Sequence, residues 1–241
     1  MKEHFDKIAE DYERLWFFSE DYHRWMKHYI LGFLDLKIND KFVDIGGGTG
    51  KYTLELARAT KICNEPICVE PSSMADIAAR NDSLIVYNET ANDFVKRDKR
   101  YNKVLIKEAI HHFPNRKRFF KELYKKMNDN GIFLIVTRPS KIKMPFFNKL
   151  KKLFYRGQPD FRDIVLDLKD SGFKTDVVID TYKIKISKSR WYELLRGRFM
   201  SDLSKLTDEA IEDGIKELEK ILKDEDIIVD DEIIFIIGKK G

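Results

Sequence analysis

The chain has 241 residues, 43% of them apolar and 36% charged, with 45 basic side chains nearly balanced by 41 acidic ones. That composition excludes a disordered chain, and the near-balance of charge gives no whole-protein reason to expect nucleic acid. The start does not resemble a signal peptide and no apolar run reaches the length of a membrane span, so a cytoplasmic protein is expected.

The length suits one α/β domain carrying an insertion, spanning residues 1–241. Residues 1–36 read as an N-terminal helical lid rich in aromatics, among them Tyr12, Trp16, Tyr22, Trp25 and Tyr29. Tyr22, His23 and Trp25 are expected to close a pocket. From Lys41 to Arg138 short apolar runs alternate with helical patterns. The strand candidates are "KFVDI", "PICVE", "SLIVYN", "NKVLIKE" and "GIFLIVTR". Between them lie "KYTLELARAT", "SSMADIAARN" and "PNRKRFFKELYKKMNDN", the last with Pro114 in its first turn and Asn130-Gly131 at its close. This alternation predicts a doubly wound parallel sheet, with residues 37–138 as its cofactor-binding half.

Residues 139–241 form the expected substrate-side half. The segment 141–156 combines helical apolar spacing with a basic face. It reads as a solvated helix near the site entrance, with weak contact to an anionic membrane surface or RNA as the alternative. A helix near Phe161–Ser171 and a strand over 173–186 follow. Helical patterns near Ser189–Leu203 and Asp208–Leu222 make a cap of about 187–224, inserted before a final strand in "DDEIIFIIGKK". Of the two cysteines, Cys68 sits in an apolar run and reads as core.

The stretch "FVDIGGGTGKYT" carries the chemistry. A dinucleotide fingerprint counted from Gly46 and Gly48 needs a third glycine where Lys51 stands. A phosphate-binding loop needs Ser or Thr after that lysine, and Tyr52 follows instead. What remains is Asp44 at a strand end before Gly46, Gly48 and Gly50. An acid where a phosphate would lie suits a ligand bearing an ammonium group. Glu70, closing the second strand, stands about where a ribose-binding acid lies in nucleotide folds.

Together, "VDIGGGTGKYT", "CVEPSSM", "HFDKIAEDYERLW" and "KEAIHHFPNRKRFFKELYKKMNDNGIFLIV" resemble the class I S-adenosylmethionine-dependent methyltransferases, most of all the small-molecule branch of the ubiquinone-biosynthesis and trans-aconitate enzymes. The resemblance implies a seven-stranded, mostly parallel Rossmann-like sheet, with S-adenosylmethionine as cofactor and S-adenosylhomocysteine as product. It also implies roles: Asp44, Gly46, Gly48 and Thr49 at the methionine moiety, Glu70 at the ribose, and Pro71 and Met74 at the adenine. Thr90, Ala91, Asn92 and Asp93 would meet the adenine's polar edge, with Thr90-Ala91 where the family often has Asp-Ala. Tyr12 would reach the methyl donor, and Lys107 and Glu108 would stand near the sulfonium.

Methyl transfer is an in-line displacement that needs a base only if the nucleophile arrives protonated. His111 is the base candidate. Adjacent His111 and His112 on an extended segment would point opposite ways, so at most one should face the site, and no metal is expected there. Arg138, Trp191, Arg196 and Arg198 form a candidate grip for an anionic or aromatic small molecule. Two other readings stand beside this one. An RNA or protein methyltransferase would need an Asn/Asp-Pro-Pro-Tyr/Phe motif where this chain has "KEAIHHFP". The third is a non-catalytic S-adenosylmethionine-binding protein.

Overall fold

Ser19 opens the first complete helix. Its side chain accepts a hydrogen bond from the Tyr22 amide at 3.2 Å, and α1 (Glu20–Leu34) then runs to Asp35, whose left-handed backbone ends it. Tyr22, Met26, Ile30 and Leu34 recur every four residues and are all buried, giving α1 one core-facing stripe. The computed structural model describes Asp6, Ala9 and residues 18–241; Tyr12 lies outside the described residues.

β1 (Phe42–Ile45), α2 (Lys51–Thr60), β2 (Ile67–Val69), α3 (Met74–Ala78), β3 (Ile85–Tyr87), α4 (Ala91–Phe94), β4 (Tyr101–Lys107), α5 (Arg116–Lys126) and β5 (Met127–Thr137) follow in alternation. Then come α6 (Asn148–Gly157), α7 (Phe161–Lys169), β6 (Lys174–Ser187), α8 (Lys188–Arg196), α9 (Asp208–Ile221) and β7 (Asp226–Lys239). The strands form one sheet in the order β3-β2-β1-β4-β5-β7-β6. β7 runs antiparallel to both its neighbours and the other pairs are parallel. This is the Rossmann-like arrangement expected, with a helical cap between β6 and β7.

Alternation along the strands sorts the core into two layers. Val43, Val104, Phe133 and Ile234 pack with α5 and α7 on one face. Phe42, Leu105, Leu134 and Phe235 pack with α1, α6 and the cap on the other. Asp44 has the parity of Phe42, so its carboxylate lies on the cap side of the sheet.

Three elements depart from the sequence expectation. The helix predicted over 114–130 is shorter at both ends. Asn115 takes φ 55° and forms the cap, leaving Pro114 outside the first turn. At the far end Met127 turns extended, pairs with Tyr101 of β4 and is fully buried, so core packing overrides helix propensity. α3 has only five residues, because Ser72 is held by Glu70 instead of entering the helix. The segment 141–156 becomes helical only from Asn148; Ile142, Met144, Phe146 and Phe147 precede the helix and are buried. Its apolar face is thus covered by the protein itself, while Lys141, Lys143, Lys149 and Lys152 stay exposed. Phe147 sits where a Cβ on Gly214 of α9 would lie 2.3 Å from its ring, so that position accepts only glycine.

Candidate active site

The loop after β1 is built by left-handed glycines at Gly46, Gly48 and Gly50, with φ of 78°, 58° and 76°. A Cβ on Gly46 would come within 2.5 Å of Ala109 Cβ, whereas one on Gly48 would meet nothing nearer than Met74 at 3.7 Å. Gly46 therefore lets the β1 loop lie against the turn after β4, whereas a side-chain carbon at Gly48 would make only ordinary contact with Met74.

Asp44 is buried at the base of this loop. One carboxylate oxygen accepts a hydrogen bond from Thr53 Oγ1 at 2.7 Å; Oδ1 is buried with no partner among the described residues. Burial raises the carboxyl to about 6 against the weaker opposing pull of the Thr53 bond and of Lys107. Lys107 ends β4 with its ammonium 4.3 Å from the Tyr52 ring centre, and burial, reinforced by nearby Arg138, lowers it to about 8. Tyr52 in turn shares a 2.8 Å hydrogen bond with His23 Nδ1.

Glu70 is buried and holds the loop to the second strand. Its Oε2 accepts from the Gly48 amide at 3.2 Å, while Oε1 accepts from the Ser72 amide at 3.0 Å and from Ser72 Oγ at 2.7 Å. Two carboxylate oxygens offer about four acceptor positions, so three bonds leave room for one more. Pro71 is half-buried and Met74 buried beside Gly48. Thr49 is half-buried. Thr90 caps α4 by accepting from the Asp93 amide, and Asn92 Nδ2 donates to the Pro114 carbonyl at 3.5 Å. Ala91 opens that short helix and Asp93 is tied to Lys96.

Beside the loop, under the cap, lies a cavity of about 170 Å³. Glu108, His111 and His112 line it from the turn after β4; Arg138 and Gln158 from β5 and α6; Phe199, Asp202 and Lys205 from the cap. The two histidines do not point opposite ways as an extended segment would require. Ile110–His112 forms a 3-10 turn that stacks their rings 3.8 Å apart at 57°, and both reach the cavity. Burial lowers His111 to about 4, so its imidazole is neutral through the physiological range, and its Nδ1 is buried with no partner among the described residues.

Arg138 sits at the floor of this cavity. Its Nε and Nη2 donate to Asp231 at 2.8 and 2.9 Å, and Nη1 donates to Glu108. Tyr22 adds a bond from its hydroxyl to Asp231 at 3.0 Å. Tyr22 is therefore a buried core residue and not a pocket closer; Phe18, stacked on it at 3.9 Å, is the aromatic that reaches the cavity. Trp25 is packed against Tyr182 and Phe235 on the sheet.

The expected arginine-and-aromatic grip is not assembled. Trp191 is fully buried, stacked on Phe146, with Nε1 donating to the Pro145 carbonyl at 3.0 Å. Arg196 is exposed and pairs with Glu212, and Arg198 binds Asp208 and the Leu206 carbonyl. Of that set only Arg138 lines the cavity. Glu108, Gln158, Asp202 and Lys205 emerge instead. Only Glu108 was marked by a sequence signal, its place just past the fourth strand.

A family model described as a methyltransferase domain matches residues 9–158. The chain belongs to this family. It is an S-adenosylmethionine-dependent methyltransferase. No curated protein matches the sequence. Among solved structures, the methyltransferase is similar to the YcgJ protein of Bacillus subtilis at 18% identity and TM-score 0.64, over 90% of this chain and 99% of that one. The cyclopropane synthase MmaA2 of Mycobacterium tuberculosis aligns at 16% identity and TM-score 0.62, over 92% and 85%. The phosphoethanolamine N-methyltransferase 2 of Haemonchus contortus, solved with S-adenosylhomocysteine and phosphomonomethylethanolamine, aligns at 17% and TM-score 0.56, over 88% of this chain and 51% of that one. At these identities the likeness is one of fold.

The methyltransferase's own residues fit its cofactor. S-adenosylmethionine carries an ammonium group and a ribose, and the loop offers the unpartnered Oδ1 of Asp44 and the remaining acceptor capacity of Glu70. Among the described residues no cluster of His, Cys, Asp or Glu could hold a metal ion, and no helix is long and apolar enough to cross a membrane.

Proposed function

We propose that the methyltransferase acts on a small-molecule acceptor held in the cavity under the cap. The observation that carries this reading is the cavity itself: about 170 Å³, lined by Phe199, Met200 and Asp202 of the cap and by Glu108, next in the chain to the Ala109 that lies against Gly46. Its size suits a small molecule rather than a nucleic acid strand or a protein segment. In this reading Asp44 faces the cofactor's ammonium group while Gly46, Gly48 and Thr49 take the methionine part. Glu70 holds the ribose, Pro71 and Met74 flank the adenine, and Thr90, Ala91, Asn92 and Asp93 meet its polar edge.

S-adenosylmethionine supplies an electrophilic methyl carbon on a positively charged sulfur. The chain supplies position and a dry enclosure. Fixing two reactants in line turns an encounter between molecules into an internal step, which accounts for much of the rate such enzymes need. Neutral His111 can hold the acceptor by a hydrogen bond. Lys107, beside Asp44, keeps the loop carboxylate from facing the core alone.

Two measurements test this. Titration calorimetry with S-adenosylmethionine, S-adenosylhomocysteine and NADH should show binding of the first two only. Labelled methyl transfer offered in parallel to pooled metabolites, RNA and protein should mark the metabolite fraction. Label appearing in RNA or protein instead would overturn the small-molecule reading.

A further inference from the structure

The hydrogen-bonding balance of the cavity is one-sided. Three of its donor side chains are engaged by the protein. Arg138 gives Nε and Nη2 to Asp231 and Nη1 to Glu108. Gln158 Nε2 donates to Thr137 Oγ1 at 2.9 Å and to the Arg138 carbonyl at 2.8 Å. Lys205 pairs with Asp202 at 2.7 Å. Two buried atoms of the lining residues are left over, with no partner among the described residues: Glu108 Oε1, an acceptor, and His111 Nδ1, an acceptor in the Nε2–H tautomer. Buried acceptors of this kind are costly unless something donates to them.

Charge points the same way. Arg138 is one cation between two carboxylates, Asp231 and Glu108, so this cluster is net negative, and Asp202 with Lys205 adds nothing. A carboxylate or phosphate on the acceptor would bring more acceptors and more negative charge to that wall. Glu108 also holds an unusual backbone, φ 56° in a non-glycine residue, fixed by its amide bond to the Val136 carbonyl at 2.9 Å. Such conformations persist where the surroundings enforce them, and they concentrate at working sites.

We infer that the acceptor is an amine on an apolar body, with its N–H groups held by Glu108 Oε1 and His111 Nδ1 and its carbon skeleton against Phe18, Met144, Phe154 and Phe199. This rests on the small-molecule reading above. Two acceptors holding two N–H bonds leave the nitrogen lone pair to face the methyl donor. The amine enters as an ammonium ion and loses one proton to the Glu108 carboxylate, which passes it to solvent. The lone pair then forms the nitrogen–carbon bond as the carbon–sulfur bond breaks, its electron pair going to sulfur. The nitrogen, now positively charged, releases a proton by the same route. Lys107 and Arg138 keep their present partners throughout.

The test uses the full-length protein and three matched series: 2-phenylethylamine, 2-phenylethanol and phenylacetate; tryptamine, tryptophol and indole-3-acetate; hexylamine, hexanol and hexanoate. Affinity is read by calorimetry with and without saturating S-adenosylhomocysteine. At least one amine should bind ten or more times tighter than its matched acid. Glu108→Gln should abolish that preference while leaving S-adenosylhomocysteine affinity within about twofold. Glu108→Asp retains a carboxylate for Arg138 and should weaken amine binding through the shorter reach, which guards against a misfolded Gln variant. Acids binding as well as amines, no amine binding at all, or a preference indifferent to both variants would overturn the inference. Loss of S-adenosylhomocysteine binding by the unaltered protein would condemn the cofactor assignment instead, and the series without it would still be read.

Discussion

Arg138 at the end of β5 holds Asp231 of β7 through two hydrogen bonds of 2.8 and 2.9 Å, both side chains buried and Asp231 only 1% exposed. Tyr22 of α1 donates to the same carboxylate. The N-terminal helix, the fifth strand and the antiparallel last strand thus meet at one carboxylate, directly under the cavity.

Removing that carboxylate leaves a buried guanidinium and a buried hydroxyl short of a partner. Asp231→Ala is expected to destabilise the fold by about 3–5 kcal/mol. Urea unfolding followed by circular dichroism checks this; a loss below about 1 kcal/mol would mean that Arg138 finds another partner at no cost.

The glycine loop predicts a contrast between two substitutions. Gly46→Ala drives a Cβ into Ala109 at 2.5 Å and should cost stability, about 1–3 kcal/mol. Gly48→Ala has steric room and should cost only its left-handed backbone, about 1 kcal/mol, yet obstruct the cofactor. Unfolding curves and S-adenosylhomocysteine calorimetry should therefore rank the two variants in opposite order.

Burial places Asp44 at about 6 and Lys107 at about 8. If the ionised Asp44 receives the ammonium group, affinity for S-adenosylhomocysteine should fall as pH drops below 6, by up to about tenfold per pH unit. Asp44→Asn should bind weakly with no such slope. Without ligand the signs are set chiefly by burial. Asp44, raised above its unfolded value, makes stability decline as pH rises from about 4 to 6. Lys107, lowered, makes stability recover as pH rises above about 8. Calorimetric titrations between pH 5 and 8, with thermal melts extended to pH 10, read both.

Glu70 ties Gly48 to Ser72 and is the proposed ribose partner. Glu70→Ala should weaken S-adenosylhomocysteine binding by about 1–3 kcal/mol. Unchanged affinity would remove the ribose assignment and leave Glu70 as a loop brace.

The parallel sheet was legible because Val- and Ile-rich runs separated by helical periodicity leave few alternatives; the order of its strands comes from the structure. The glycine loop was legible because Asp44, the glycines and Glu70 sit close in sequence. The substrate side was not. Trp191 and Arg198 share one face of the helical pattern and Arg196 lies on another, but periodicity does not say what lies opposite. Trp191 meets Phe146, and the two arginines meet Glu212 and Asp208, residues from distant segments. Separating His111 from His112 failed for a local reason: a 3-10 turn replaces the extended segment and brings both rings to the cavity.

The cap enters and leaves the sheet at a single point. Ser187 and Asp226, the residues that bracket it, are paired across the β6–β7 ladder, so its two ends are only one strand spacing apart. A segment whose ends lie that close can change length at its exposed turns without moving the strands that carry it, while its buried face, Trp191, Leu194 and Ile215 among it, stays tied to the core. The ladder beneath it runs on for fourteen residues on each strand, and the glycine loop lies beyond β5 and β4. The cap thus hangs from the far edge of the sheet, with two strands between its ladder and the strand that leads into the glycine loop.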